Sequence, residues 1–306
     1  MRLVTFRYQD RSAPGLLLEG GRVLDLSASL SGKGTLKSAL DIVRAGPEGE
    51  AALREAAKRG AGGSNAAYDL KDVKLVAPIP EPRKNVFCVG RNYVEHVAEG
   101  FRARGTEMKL PEFAQFFTKP LTAIIGPGAD IPLDVEVTQK LDYEVELGVV
   151  IGKRGRNIPK VKALSHIFGY TIINDVTGRD LQRRHDQWFK GKSLDGSCPM
   201  GPHIVHASAI ADPQNLNLSL RVNGEKRQSS NTKYMIFDLK TIIASLSEGL
   251  TLEAGDVIAT GTPSGVGFAM DPPRFLKDGD VIEAEVEGIG VLKNTVRQIP
   301  HRAEEG

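Results

Sequence analysis

The chain has 306 residues, 40 of them basic and 38 acidic, for a net charge of +2. At roughly 150 residues per domain, that length suggests about two domains and is ample for a substantial core. The balanced charge gives no support to a nucleic-acid role, since no Lys/Arg block is long or interleaved with aromatics. No apolar stretch approaches the ~20 residues needed to span a bilayer, so no membrane partner is expected. Cys88 and Cys198 lie far apart, without a CxxC pattern. This argues against a disulfide framework or structural zinc and fits a reducing cytoplasm. The 33 glycines and 17 prolines fit many tight turns between short strands better than a helical bundle.

Residues 1–72 read as a small α+β accessory domain. Its start, from Met1 to Arg7, has the look of a strand and not of a signal peptide. A strand is predicted over 3–8, and a hairpin over 15–26 turns at Gly20-Gly21. A helical pattern runs from Thr35 to about Ala45, Pro47 interrupts it, and a second short helix is predicted over 51–58. Residues 60–65 form a glycine-rich linker, and no catalytic constellation is visible in this part.

A second domain, 73–306, opens with the segment 73–80, and 85–90 reads as a short apolar strand. Asn92 and Glu95 have the spacing of a helix-start box. His96 and Glu99 follow at i, i+3, on one helical face. A carboxylate there would fix the imidazole tautomer for general-base work, although surface pairs share this spacing. The polar stretch 100–111, with Arg102, Arg104 and Gly105, suits a mobile lid. Lys119 ends an aromatic strand, where it either meets a buried anion or snorkels to solvent.

The run 142–151 organises the second domain. Alternation places Tyr143, Val145, Leu147 and Val149 on one face and Asp142, Glu144 and Glu146 on the other. On a half-exposed strand those acids would be a wet face. On a buried strand they repel and lose hydration, and a divalent cation between them is the simplest remedy. The apolar strand 167–175 ends in Asp175, an unusual place for a solvated acid, which makes it a third candidate ligand. Arg179 and Gln182 share a helical face and are able to address the same site. Lys192, in a Gly-flanked turn, is a candidate to meet an oxyanion, whereas Lys190 reads as solvated.

Residues 217–223 alternate as a half-buried strand before an Asn223-Gly224 hairpin turn, and 234–246 are predicted helical. The glycine-rich stretch 255–267 is neither a P-loop nor a dinucleotide fingerprint. Its backbone N–H groups and the Thr262 hydroxyl are candidates to cradle a carboxylate. The acids of 280–287 read as the wet face of an alternating strand, and the tail 301–306 carries no signal.

Glu144-Val145-Glu146-Leu147, Asn174-Asp175 with Arg179-Asp180-Leu181-Gln182, Lys192-Ser193-Leu194-Asp195, Cys198-Pro199-Met200-Gly201-Pro202 and Gly261-Thr262-Pro263-Ser264-Gly265-Val266-Gly267 together resemble the fumarylacetoacetate hydrolase family from about residue 73 onward. The resemblance, closest to longer bacterial members with an N-terminal domain, implies a mostly β (α+β) mixed-sheet roll or sandwich. It also implies a homodimer and a Mg²⁺ or Mn²⁺ ion held by Glu144, Glu146 and Asp175. His96 and Glu99 match the family's water-activating lid pair, and Lys119, Lys192, Arg179 and Thr262 match residues around the substrate. The ligand set supports a hard cation independently, since it offers oxygen without Cys or His.

The expected substrate is a small 2-oxo or dicarboxylic acid whose cleavage leaves a pyruvate enolate, with Lys192 and the cation stabilising the oxyanion. Acylpyruvate hydrolysis, as of fumarylpyruvate, is the first expectation. Oxaloacetate decarboxylation is close behind, and isomerisation of carboxylated muconate-type dienes is third. A scaffold without chemistry would be expected to have lost a lid residue or a metal acid, and all are present.

Overall fold

The computed structural model describes residues 1–29, 36–61, 66–103 and 105–300. Thr35, most of the 60–65 linker, Arg104 and the tail 301–306 lie outside the described residues. Two mixed sheets carry the architecture. The larger has 12 strands and runs from Ala67–Asp69 through Arg22–Asp25, Arg11–Leu18, Arg2–Tyr8, Cys198–His206, Ile167–Asn174, Val145–Ile151, Val257–Ala259 and Val86–Gly90 to Gln115–Lys119. Lys74–Val76 and Ile124–Ile125 attach beside this path. The second has five strands, ordered Glu225–Asn231, Asn217–Val222, Val281–Val286, Gly290–Gln298 and Asp130–Leu133. This is the expected mostly β, mixed-sheet class.

The strand Val145–Ile151 is buried along its whole length, and its two faces serve different cores. Val145, Leu147, Val149 and Ile151 pack with Leu218, Leu220, Ile282 and Ala284 of the second sheet. Val150, on the opposite face, packs with Leu3, Leu16, Leu24 and Ile42 from the N-terminal segment. The N-terminal strand joins the large sheet directly through Arg2↔Val205 and Leu3↔Ile204. A strand covered on both sides has no wet face, so its acids need partners inside the protein.

Among the departures of local elements from the sequence reading, three turn on Pro47 and Asn92. Pro47 does not interrupt a helix but opens one, Pro47–Ala61, because a first-turn N–H has no intrahelical acceptor to lose. The preceding helix is only Ala39–Arg44, started by a capping box of Ser38 and Asp41. Asn92 accounts for the other two. Its side chain does not cap the helix Val94–Arg102. It donates instead to the carbonyls of Thr260 (2.8 Å) and Phe237 (3.1 Å) and accepts from Phe237 N–H (2.7 Å). These bonds, with Ile236 N–H donating to Asn92 O at 2.7 Å, hold 235–237 out of a helix. The predicted helix over 234–246 therefore begins only at Leu239, capped by Asp238.

Among the described residues no helix is long and apolar enough to cross a membrane. Both cysteines are free and buried.

His203, 5% exposed beside the N-terminal strand, marks a pH-sensitive point of this junction. Burial, helped by the charge of Arg2, pushes its pKa down to about 4. The imidazole is therefore neutral in the fold at pH values where the unfolded chain, near 6.5, binds a proton. Its contribution is full above pH 6.5 and falls away as the pH drops towards 4. We expect stability to decline by about 3 kcal/mol across that window from this group. Denaturant titrations at several pH values should show a shallower decline for His203→Leu; an identical pH profile would refute the assignment.

Candidate active site and metal centre

The antiparallel register builds the site. Val145 pairs with Asn174 and Glu146 with Ile173, which sets Glu144 directly across from Asp175. Opposed residues share a face, and Glu146, two positions from Glu144, shares it too. The pairing is locked where the strand opens: Glu144 N–H donates to Asn174 Oδ1 at 2.9 Å, and Asp175 N–H donates to Glu144 O at 2.8 Å. Glu144, Glu146 and Asp175, all buried, each bring a carboxylate oxygen within 4.8 Å of the others.

The acidic run is not one unbroken strand. Leu141–Asp142 pairs separately with Thr177–Gly178. Asp142 turns to a different task, accepting from Arg179 Nε (2.8 Å), Gly267 N–H (2.8 Å) and Phe268 N–H (3.0 Å).

Three buried cations face these four acids. Lys119, 0% exposed, donates to Asp175 Oδ1 at 2.7 Å and to the Val176 carbonyl at 3.0 Å, so it does not snorkel. Lys192 bridges Glu144 Oε2 (2.7 Å) and Asp175 Oδ2 (2.6 Å). Arg179 reaches Glu144 Oε1 at 2.7 Å, and its other nitrogens hold Asp142 and Gln182. Although burial disfavours its charge, Glu144 is held well below the usual carboxylate range by Lys192 and Arg179. Burial likewise opposes the charge on Lys192, but Asp175 and Glu144 raise its pKa and keep it an ammonium.

Glu146 is left with the surplus. Burial first, then the charges of Asp175 and Glu144, push its pKa well up, against the charge of Lys192 and one backbone donor, Gly261 N–H at 2.6 Å. An added cation beside Glu146 would relieve that surplus. The nearby thiols are no competition as soft ligands. Burial, with the charges of Asp175 and Glu146, pushes Cys88 well up, and burial pushes Cys198 up to about 12. Oxygen donors with excess negative charge fit a hard divalent ion.

The lid helix Val94–Arg102 closes one wall. His96 Nδ1 lies 2.8 Å from Glu99 Oε1, with the two side chains 13% and 8% exposed. The glycine-rich loop does cradle carboxylates, but they are the protein's own. Gly261 N–H serves Glu146, Gly265 N–H serves Glu99 Oε2 at 2.8 Å, and Gly267 N–H serves Asp142. Thr262 Oγ1 donates to the Val145 carbonyl (3.0 Å) and accepts from Gln228 Nε2 (2.8 Å).

His96, Lys192, Arg179, Gln182, Thr262 and the acid triad all line one cavity of about 290 Å³. Lys119 and Glu99 are not in its wall: Lys119 bonds Asp175 and Glu99 bonds His96. Sequence reasoning missed Asn174, Asp142 and Gln228 as supports. The first two carry a signal, since each adjoins or alternates with a predicted ligand. Gln228 carries none; it lies on a distant hairpin and accepts from Val145 N–H at 2.9 Å.

Removing Lys119 leaves Asp175 buried with half its countercharge. We expect Lys119→Met to cost about 3 kcal/mol of stability in denaturant unfolding; a loss below about 1 kcal/mol would show that the pair is not needed for folding.

The chain is similar to oxaloacetate tautomerase YisK of Bacillus subtilis (strain 168), 44% identical over 304 residues that cover 97% of this chain and 100% of the relative. Among solved structures, a fumarylacetoacetate hydrolase from psychrophilic Exiguobacterium antarcticum aligns with a TM-score of 0.78 at 42% identity, covering 98% of this chain and 100% of that one. Maleylpyruvate hydrolase from Sphingobium sp. SYK-6 aligns with a TM-score of 0.77 at 29% identity and the same coverage. The family described as fumarylacetoacetate (FAA) hydrolase C-terminal matches residues 85–297. Matched in sequence and fold along nearly its whole length, the chain belongs to the fumarylacetoacetate hydrolase family of enzymes.

Proposed function

We propose that this enzyme interconverts the enol and keto forms of oxaloacetate, or of a near relative among 2-oxo dicarboxylic acids, with Mg²⁺ or Mn²⁺ held by Glu144, Glu146 and Asp175. The observation that carries this reading is a buried triad of acids, each with a carboxylate oxygen within 4.8 Å of the others, sharing one cavity with Lys192 and His96. The tautomerase named among its relatives, similar over nearly the whole of both chains, supports the choice of reaction. A bound divalent cation would supply Lewis-acid stabilisation of negative charge on the substrate's carboxylate and 2-oxo oxygens.

The protein's own groups handle the protons. Glu99 accepts from His96 Nδ1, which leaves Nε2 free to exchange a proton. In the enol-to-keto direction Nε2 takes the proton of the C2 hydroxyl, and the O–H electron pair becomes the C2=O π bond. The imidazolium so formed delivers that proton to the C2–C3 π pair to make C3–H, which returns His96 to the neutral imidazole. Lys192, a buried ammonium, stabilises the charge that develops on the C2 oxygen meanwhile.

The lid pair also favours a second reading, hydrolysis of acylpyruvates. There His96 with Glu99 would deprotonate a water that attacks C4, and the C3–C4 bond would break. Oxaloacetate decarboxylation needs the same charge stabilisation without the water.

With Mn²⁺ present, we expect the full chain to accelerate the decay of the ultraviolet absorbance of freshly dissolved enol-oxaloacetate. His96→Ala should slow this at least about a hundredfold while calorimetry shows unchanged Mn²⁺ binding. No acceleration by the wild type would reject the tautomerase reading; parallel assays for loss of acetylpyruvate and fumarylpyruvate and for pyruvate release would then score the alternatives. A chelator should abolish turnover and added Mn²⁺ restore it; full activity after exhaustive chelation would eliminate the metal.

A further inference from the structure

Arg91 stands apart from the other cations of the cavity. It follows the strand Val86–Gly90 with φ +54°, a region that L residues rarely occupy without a functional or structural reason. Gly90 beside it makes room for Trp188, since a Cβ at 90 would lie 2.1 Å from the indole Cζ3. The Arg91 guanidinium lies 5.3 Å from the Trp188 ring and 5.9 Å from the Phe101 ring. Trp188 meets Phe117 edge-on at 5.7 Å, and Lys192 Nζ lies 5.1 Å from that same Phe117 ring. A chain of aromatic contacts thus fixes Arg91 relative to the acid-bearing end.

Lys119, Lys192 and Arg179 are all committed to the protein's own carboxylates. Arg91 is not: among the described residues no acid pairs with it, and burial alone lowers its pKa with no neighbouring carboxylate raising it. A half-buried guanidinium in a cavity wall, without a counter-ion, is matched to a planar anion that arrives with the ligand. Arg183, the other uncommitted cation of the wall, is exposed and far better solvated.

We infer that Arg91, propped by Trp188, takes the carboxylate remote from the 2-oxo group and so selects dicarboxylic over monocarboxylic 2-oxo acids. This rests on the 2-oxo acid reading above and names what sets its specificity.

The test is calorimetric binding to the Mn²⁺-loaded full chain of oxaloacetate and of 2-oxobutyrate, which has the same carbon count but a methyl in place of the remote carboxylate. The wild type should bind oxaloacetate about tenfold more tightly or better. Arg91→Met should erase that preference while leaving 2-oxobutyrate within about twofold, and Arg91→Lys should keep part of it. Equal weakening of both ligands, no change in either, or loss of the preference in Arg183→Met instead would overturn the assignment. Failure of the two proposals is separable. Selective binding through Arg91 without tautomerisation would sink only the reaction, and tautomerisation with selectivity intact in Arg91→Met would sink only the clamp. A wild type that binds neither ligand would sink both.

Discussion

One antiparallel register underlies the site. Because Val145 faces Asn174, Glu144 faces Asp175, and the pleat brings Glu146 to the same side. A slip of one residue would turn these acids into the apolar contact with the second sheet and expose Val145 and Leu147 to the polar cavity. Both faces of the strand are buried, so such a slip is opposed twice: by hydrophobic packing on one side and by desolvated charge on the other.

Charge balance follows from that placement. Three cations compensate four acids, and the shortfall falls on Glu146, to which Gly261 N–H alone donates among the described residues. A further cation there would offset that shortfall, and buried like charges are held in such proximity only where the surrounding fold enforces it. The glycine-rich loop takes part in this enforcement. Its amides contact Glu146 in the triad, Glu99 on the lid helix and Asp142, which in turn orients Arg179. Any displacement of this loop would be felt at all three acids together.

Placing His96 and Glu99 on a helix gives the proposed proton-transfer group a fixed bearing. The i, i+3 spacing brings the side chains together, and Gly265 N–H holds the far oxygen of Glu99. Arg91 and Trp188, both half-buried, come from separate segments and meet across the cavity wall.

Much of this was legible in the chain itself. Alternation in 142–151, an acid ending the apolar run 167–175, and the i, i+3 pair at 96 and 99 are local patterns, and local patterns survive in sequence because backbone periodicity creates them. Hence the acid triad and the lid pair were available as candidates before any coordinates, while the mixed-sheet class followed from the family resemblance that the motifs carry. Tertiary structure decided what depends on partners distant in sequence. It turned Asp142 from a fourth acid of the strand into an anchor for Arg179, and spent the loop's N–H groups on the protein's own carboxylates. Through Asn92 it also held 235–237 out of a helix. Each is a hydrogen bond across more than thirty residues. Such bonds are chosen by the burial of polar groups that must find a partner once water is excluded, and nothing local in the sequence records which partner that will be.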